Sequence, residues 1–363
     1  MKTRGAIESL NTYIPGERRA NTIKLASNEN PHGCSPAVAQ AMADAAQELH
    51  IYPDGAAQEL TRRIAALHDV DPAWIITGNG SDEVLTLIAG TYIEAGDRVL
   101  IAEHTFSEYE FAARLYGAEI VTVPMPSLEI HPRDYLDYLD GTVKVVFLCS
   151  PNNPTGGVFT QQELERFLAA VPQDVLVVVD HAYIEYQQDP AAARADGLVR
   201  EYPNLIVLHT FSKIYGIAAV RLGYGIAQPD RIMEIRKVRP PFSVNSVAQA
   251  AGIAALSDAE FVSDSLKQNE LGVARMQHLC DELGLSYLPT QANFITVQVP
   301  TDAREAAEYI AERGITVRAL NSFNLPHHLR ITIGTSQQLD KLETILREYV
   351  GAYPPRSRPH ATA

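Results

Sequence analysis

Val145-Val-Phe-Leu-Cys149-Ser150-Pro-Asn-Asn-Pro-Thr-Gly156 and Leu176-Val-Val-Val-Asp180-His-Ala-Tyr183 each pass from an unbroken apolar run into a polar cluster. An apolar run without alternation reads as a strand buried on both faces, the pattern of a mostly parallel sheet covered by helices. Trp74–Thr77, Val99–Ala102, Ile120–Val123 and Leu205–Leu208 read the same way, and the amphipathic segments between them supply the crossovers. The spacing predicts an α/β protein. The polar clusters, with Thr210-Phe-Ser-Lys213 as a third, fall at the carboxyl ends of their strands, the edge where an open parallel sheet binds ligands. An Asn, an Asp, a Tyr and a Lys from distant parts of the chain thereby converge on one crevice.

Helix signals occur where this architecture needs them. Ser35-Pro36 opens one helix, Thr160-Gln-Gln-Glu163 is a capping box, and Asp302 precedes another helix. From about Asp258 to Gly284 the pattern becomes one long helix, followed by short strands at Asn293–Val299, Ile315–Arg318 and Leu329–Ile333 and a final helix ending near Tyr349. This predicts a second, smaller α+β domain. The expected organisation is an N-terminal arm and start of the small domain over 1–45, a large domain over 46–255, the small domain over 256–350, and a flexible tail over 351–363.

The 363 residues suffice for two domains. A composition of 46% hydrophobic and 20% charged residues, with 22 Gly and 22 Pro, excludes a collagen, a mucin or a disordered chain. The net charge of -14 repels phosphate backbones and anionic membranes, so neither a nucleic acid nor a membrane is an expected partner. Cys34, Cys149 and Cys280 form no CxxC pair, which indicates neither a disulfide framework nor a zinc site and fits a reducing cytoplasm. Met1–Arg19 carries no apolar stretch of signal-peptide length, and no window approaches the ~20 apolar residues of a membrane helix.

Gly78-Asn-Gly80-Ser81-Asp82-Glu83 begins like a dinucleotide fingerprint but has Glu where the third Gly belongs, and no Walker A or HExxH string occurs. Its place between a strand and a helix nevertheless offers backbone N–H groups to an anion. Each candidate also has a plain structural reading. In isolation the Gly-rich turn merely starts a helix, Asn153 forms a turn, Tyr183 fills a core and Lys213 is a surface lysine.

Together, Ser150-Pro-Asn-Asn-Pro-Thr-Gly156, Asp180-His-Ala-Tyr183, Ser212-Lys213 with Gly216, and Arg221-Leu-Gly-Tyr224 resemble the fold-type I aminotransferases dependent on pyridoxal phosphate, in order and spacing, across nearly the whole chain. Ile23-Lys-Leu-Ala-Ser-Asn-Glu-Asn-Pro31, Tyr52-Pro-Asp-Gly55 and Leu329-Arg-Ile-Thr-Ile-Gly-Thr335 further resemble the histidinol-phosphate aminotransferase branch. The resemblance implies that Lys213 bonds to the cofactor aldehyde as an imine and carries the proton between Cα and C4′, which requires an amine whose pKa is lowered by burial near cations. It implies that Asp180 pairs with the protonated pyridine nitrogen, and that Asn153 and Tyr183 hydrogen-bond the phenolic oxygen. The cofactor phosphate would take N–H groups near Gly80, Ser81 and Asp82, the hydroxyls of Thr210 and Ser212, and the guanidinium of Arg221. Asp82 would serve only through its backbone. Phe106 matches the ring stacked on the cofactor, and Tyr52 the tyrosine that reaches the partner's cofactor phosphate, so the implied unit is a homodimer.

Arg330 resembles the carboxylate-binding arginine, with Arg318, Tyr13 and Asn153 completing a site for histidinol phosphate. The implied reaction moves an amino group between glutamate/2-oxoglutarate and histidinol phosphate/imidazole-acetol phosphate. An aromatic amino acid aminotransferase and a threonine-phosphate decarboxylase-like lyase are the alternatives, while Lys213 and Asp180 count against a non-catalytic module. Two positions depart from the branch: His181 stands where Glu is usual, and Ala219 where Gly is usual. His181 reads either as a packed imidazole or as a catalytic one.

Overall fold

In the central strands, alternate side chains feed two different cores. Val177, Val179, Leu205 and Val207 enter one, and Leu176, Val178, Ile206 and Leu208 enter the other, each almost wholly buried. A strand that buries both faces needs a helical layer on each side, which is why these runs read as continuously apolar. The computed structural model describes residues 1–8, 10 and 19–355. Tyr13 lies outside the described residues, as does the tail beyond 355.

The chain opens with a short helix α1 (Gly5–Glu8), strand β1 (Ile23–Lys24), and helices α2 (Pro36–Ala45) and α3 (Gln58–Leu67). Then follow β2 (Ile75–Gly78), α4 (Ser81–Tyr92), β3 (Arg98–Ala102), α5 (Ser107–Leu115), β4 (Glu119–Val123), β5 (Val143–Cys149), α6 (Gln161–Ala170), β6 (Leu176–Asp180), β7 (Leu205–Thr210) and β8 (Gly223–Ile226). Strands β2 to β8 form one sheet in the order β2-β8-β7-β6-β5-β3-β4. It is mostly parallel, as the sequence predicts. The exception is β8, which runs antiparallel to both β2 and β7 and which apolar patterning misses because it is only Gly-Tyr-Gly-Ile.

Chain direction across this sheet reverses beside β3, which lies between β4 and β5. The register there is tight: Cys149 of β5 pairs with Asp180 of β6, and Asp180 pairs with Leu208 of β7. The polar clusters that follow these strands are therefore level with one another, around the switch point at which open sheets build sites.

Helices α7 (Pro229–Arg236), α8 (Ser246–Leu256) and the long α9 (Ala259–Leu283) lead to β9 (Tyr287–Leu288), β10 (Phe294–Gln298), α10 (Ala303–Glu312), β11 (Ile315–Thr316), β12 (Arg318–Ala319), β13 (His328–Thr332) and α11 (Ser336–Ala352). An antiparallel sheet of order β12-β13-β10-β9 packs on a third core that includes Met276, Ile295, Ile310 and Leu342. The expected single strand Ile315–Arg318 is two strands. Ile315 and Thr316 pair in parallel with β1, whereas Arg318 and Ala319 pair with β13. The divided run carries Arg318 to the sheet that also bears Arg330, whose register partner it is. The predicted caps form as read, with Ser35 Oγ accepting from Val38 N–H and Thr160 and Glu163 completing the capping box. Among the described residues no helix is long and apolar enough to cross a membrane.

The start of α4 is pressed against β8. A Cβ at Gly223 would lie 2.3 Å from Ser81 N, whereas one at Gly225 would meet only side-chain carbons of Ile76, Val84 and Leu208 at 3.3–3.4 Å. Gly223→Ala must therefore move backbone, and it should cost about 2–4 kcal/mol in urea unfolding, while Gly225→Ala costs less than about 1.5 kcal/mol. Equal losses in the two variants would contradict this close approach.

Candidate active site

A cleft of about 260 Å³ opens at the carboxyl edge of the large sheet. Twelve of the predicted residues line it: Ser81, Asp82, Phe106, Asn153, Asp180, Tyr183, Thr210, Ser212, Lys213, Arg221, Arg318 and Arg330. Gly80 stands just behind, with φ +87°, where a Cβ would lie 2.4 Å from Arg221 Nη2. Tyr52 does not reach the cleft; it is 81% exposed and stacks on Phe242 at 4.8 Å.

Asp180 ends β6 and is buried. Tyr109 Oη donates to Asp180 Oδ2 at 2.7 Å, and Ala182 N–H donates to Oδ1 at 3.0 Å. Burial pushes this carboxyl up to about 6 despite both donors. Tyr109 escapes sequence reading because, in the first turn of α5 and wholly buried against Phe147, it looks like a core tyrosine. Phe106, three residues earlier, meets Tyr109 edge-on at 5.6 Å and presents its ring to the cleft.

Lys213 follows β7, and its Nζ donates to Ser27 O at 3.2 Å and lies 5.5 Å from the centre of the Tyr183 ring. Burial, with the Arg330 and Arg221 guanidinium groups, lowers its amine to about 8 against the opposing pull of Glu29 and Asp82. The Tyr183 hydroxyl accepts from Asn28 Nδ2 at 2.8 Å, and burial raises it above the usual phenol range. Asn28 belongs to the segment after β1 and also receives, at its backbone carbonyl, a bond from Asn293. This ties the cleft floor to the second sheet.

An anion cradle occupies the other end. Helix α4 begins at Ser81 with no side-chain cap, leaving first-turn N–H groups directed at the cleft wall. Arg221, in the left-handed region at φ +58°, donates from Nη1 to Ser212 Oγ at 3.2 Å and from Nη2 to Asp82 Oδ2 at 2.9 Å. Thr210 Oγ1 accepts from Ser212 N–H at 3.1 Å. Asp82, expected to matter through its backbone alone, thus also holds the arginine through its carboxylate.

Arg330 is buried on β13 and donates to Asn153 Oδ1 and, at 2.8 Å, to Ala26 O. Arg318 stands at the mouth beside Phe323, whose carbonyl accepts from His104 Nδ1 at 2.7 Å. Neighbouring Asn152 fastens two loops by donating to His104 O at 2.8 Å while Thr105 Oγ1 donates to its Oδ1 at 2.8 Å. His181 is a packed imidazole: Nδ1 donates to Ser150 O at 2.8 Å, Nε2 accepts from Ala195 N–H at 2.9 Å, and burial lowers it to about 4. Ala219 is exposed in the turn Ala218–Val220 and has no positive φ, so a glycine is not required there.

Comparison with known proteins identifies the family. Residues 20–346 match the family model "Aminotransferase class I and II". The chain belongs to that family. It is 40% identical over 357 residues to the histidinol-phosphate aminotransferase of Symbiobacterium thermophilum, covering 96% of this chain and 98% of that one. With the Brevibacillus brevis histidinol-phosphate aminotransferase it shares 42% identity over 329 residues and 90% of each chain. The Sinorhizobium meliloti histidinol-phosphate aminotransferase, solved with pyridoxal-5'-phosphate, superposes with a TM-score of 0.89 at 27% identity, covering 97% of this chain and 98% of that one.

Only the neutral amine of Lys213 is a nucleophile. With its amine lowered to about 8, about one Lys213 in ten is neutral at pH 7, against about one in 3,000 for an ordinary lysine. Capture of pyridoxal phosphate by the apoprotein, fixed with borohydride at intervals, should accelerate with pH and level off just above 8. A rate still climbing at pH 10 would place this lysine in ordinary surroundings.

Proposed function

We propose that this chain transfers an amino group from glutamate to imidazole-acetol phosphate, and back from histidinol phosphate, with pyridoxal phosphate as cofactor. The observation that carries the reading is the convergence, in one cleft, of a depressed lysine, a buried carboxylate, an anion cradle and a second pair of guanidinium groups. The residues fit the cofactor: an anion at one end for a ring nitrogen, donors at the side for a ring oxygen, and a cradle at the other end for a phosphate. The names carried by relatives at about 40% identity support the substrate.

Pyridoxal phosphate supplies an aldehyde that accepts the amino group and a ring that withdraws electrons from the substrate Cα. Lys213 Nζ would hold the cofactor until substrate arrives, then would take the proton from the substrate Cα and return it to the cofactor carbon C4′ on the other side of the nitrogen. Asp180 would face the ring nitrogen and, ionised, keep it protonated. Asn153 and Tyr183 would orient the ring through its oxygen, and Phe106 would pack on its face. The α4 N–H groups at Ser81 and Asp82, with Thr210, Ser212 and Arg221, hold the phosphate. Arg330 binds the glutamate carboxylate as a planar fork, and the histidinol phosphate anion uses it together with Arg318.

A second copy of the chain completes the site. Tyr52, its stacking partner Phe242, and Leu49, Ile51 and Val238 are large apolar side chains exposed on this protomer. Exposed apolar side chains of this size favour a twofold partner, whose cofactor phosphate Tyr52 would reach. We assign residues 46–255 to a large domain and 256–350 to a small one, with 1–45 joining them, and place the enzyme in the cytoplasm, where the free thiols of Cys34, Cys149 and Cys280 persist.

Lys213→Ala should remain a folded dimer by sedimentation, bind the cofactor without a borohydride-fixable bond, and lose several orders of magnitude in kcat. Near-normal turnover would contradict the assignment. In a panel of amino donors assayed with 2-oxoglutarate, histidinol phosphate should exceed phenylalanine in kcat/KM by at least about tenfold, since a phosphate dianion can engage Arg318 and Arg330 together whereas the phenylalanine carboxylate engages Arg330 alone. Preference for phenylalanine would instead make this an aromatic amino acid aminotransferase.

A further inference from the structure

Directly behind Asp180, across the sheet, lies a group of imidazoles the mechanism above does not use. Alternation along β6 and β7 puts His181 and His209 on the face opposite Asp180, and His209 is one residue beyond the register partner of Asp180. His209 is buried, donates from Nε2 to Asp196 Oδ1 at 2.7 Å, and stacks on Tyr224 at 4.9 Å and 10°. His68 approaches from the end of α3, its Nε2 2.9 Å from Tyr224 Oη and its Nδ1 3.7 Å from Asp196 Oδ2. Glu185 faces the same space from the turn after β6, with Arg194 nearby.

Hydrogen bonding fixes the proton of one of these rings and the surrounding charges bias the others; His209 Nδ1 is buried with no hydrogen-bond partner among the described residues. His181 Nε2 accepts an N–H and so carries no proton, which leaves that ring neutral. Burial lowers His68 to about 4, so it too is neutral. Burial also opposes a proton on His209, but Asp196 outweighs it and leaves His209 above the usual imidazole range. Burial pushes the Asp196 carboxyl up, and His209 with its neighbours brings it well below the carboxylate range. His209, buried, and Asp196, partly exposed, thus form a close pair that favours a proton on His209, on the strand adjacent to Asp180.

Asp180 needs such help. It sits in a dry site, and among the ionic groups that act on it Asp82 opposes its charge whereas His209 favours it. We propose that the His209–Asp196 pair is a positioning device for the cofactor: protonated His209, held by Asp196, keeps Asp180 ionised from the far side of the sheet. This rests on the reading that Asp180 faces the ring nitrogen.

The test begins with the unmodified holoenzyme. With 15N-labelled histidine, long-range 1H–15N spectra at pH 7.5 should show His209, assigned by its absence in His209→Gln, as a doubly protonated ring, and His68 and His181 as neutral ones. A neutral His209 overturns the proposal without any variant having to fold. In His209→Gln, and equally in Asp196→Asn, the signal of a 15N-labelled cofactor ring nitrogen should move toward its unprotonated position. The acid limb of kcat/KM should move up by about half a unit to one unit, a loss of about three- to tenfold on that limb. His209→Arg should restore both, which a packing role alone does not predict. A folded His209→Gln enzyme with both readouts unmoved refutes the device if Asp180→Ala does shift the ring-nitrogen signal. If Asp180→Ala leaves that signal unmoved as well, the assignment of Asp180 itself is withdrawn.

Discussion

Keeping a buried carboxylate charged at the floor of a cleft is the constraint around which this molecule is arranged. Asp180 terminates a strand whose other residues are all apolar, and a charge there is tolerated only if donors and cations are fixed around it. Tyr109 and Ala182 supply the donors from the cleft side. Their positions depend in turn on the level register of β5, β6 and β7 and on the first turn of α5, so sheet geometry and site chemistry cannot be varied separately.

The same economy explains the two ends of the cleft. One is a helix N-terminus with an arginine, suited to a phosphate that stays bound; the other is an arginine pair on the antiparallel sheet, suited to an anion that comes and goes. Lysine 213 lies between them, and the two guanidinium groups that face it contribute to its lowered affinity for a proton. Binding and proton transfer therefore draw on the same charges.

Much of this was legible in the sequence, for physical reasons. Strands buried on both faces announce themselves by unbroken apolar runs, and Asp180, Asn153 and Lys213 stood out only as a set at the ends of those runs, since singly Asn153 reads as a turn residue and Lys213 as a surface lysine. Strand β8 was hidden because two of its four residues are glycines, and Ile315–Arg318 because a pairing partner can change within four residues without any change in hydropathy. Tyr109 and His209 were illegible for a related reason: both occupy positions where burial is expected, and only their partners reveal a polar role. His181 does not line the cleft: its ring is held between Ser150 O and Ala195 N–H.

The ion pair between Arg221 and Asp82 joins parts of the chain 139 residues apart. Asp82 lies in the first turn of α4 and Arg221 just before β8, so the plane of the guanidinium is set by the chain itself, and the turn that carries it, held at φ +58°, is fastened to the start of the helix. A change that loosens the first turn of α4 would therefore reach the arginine before it reached the sheet.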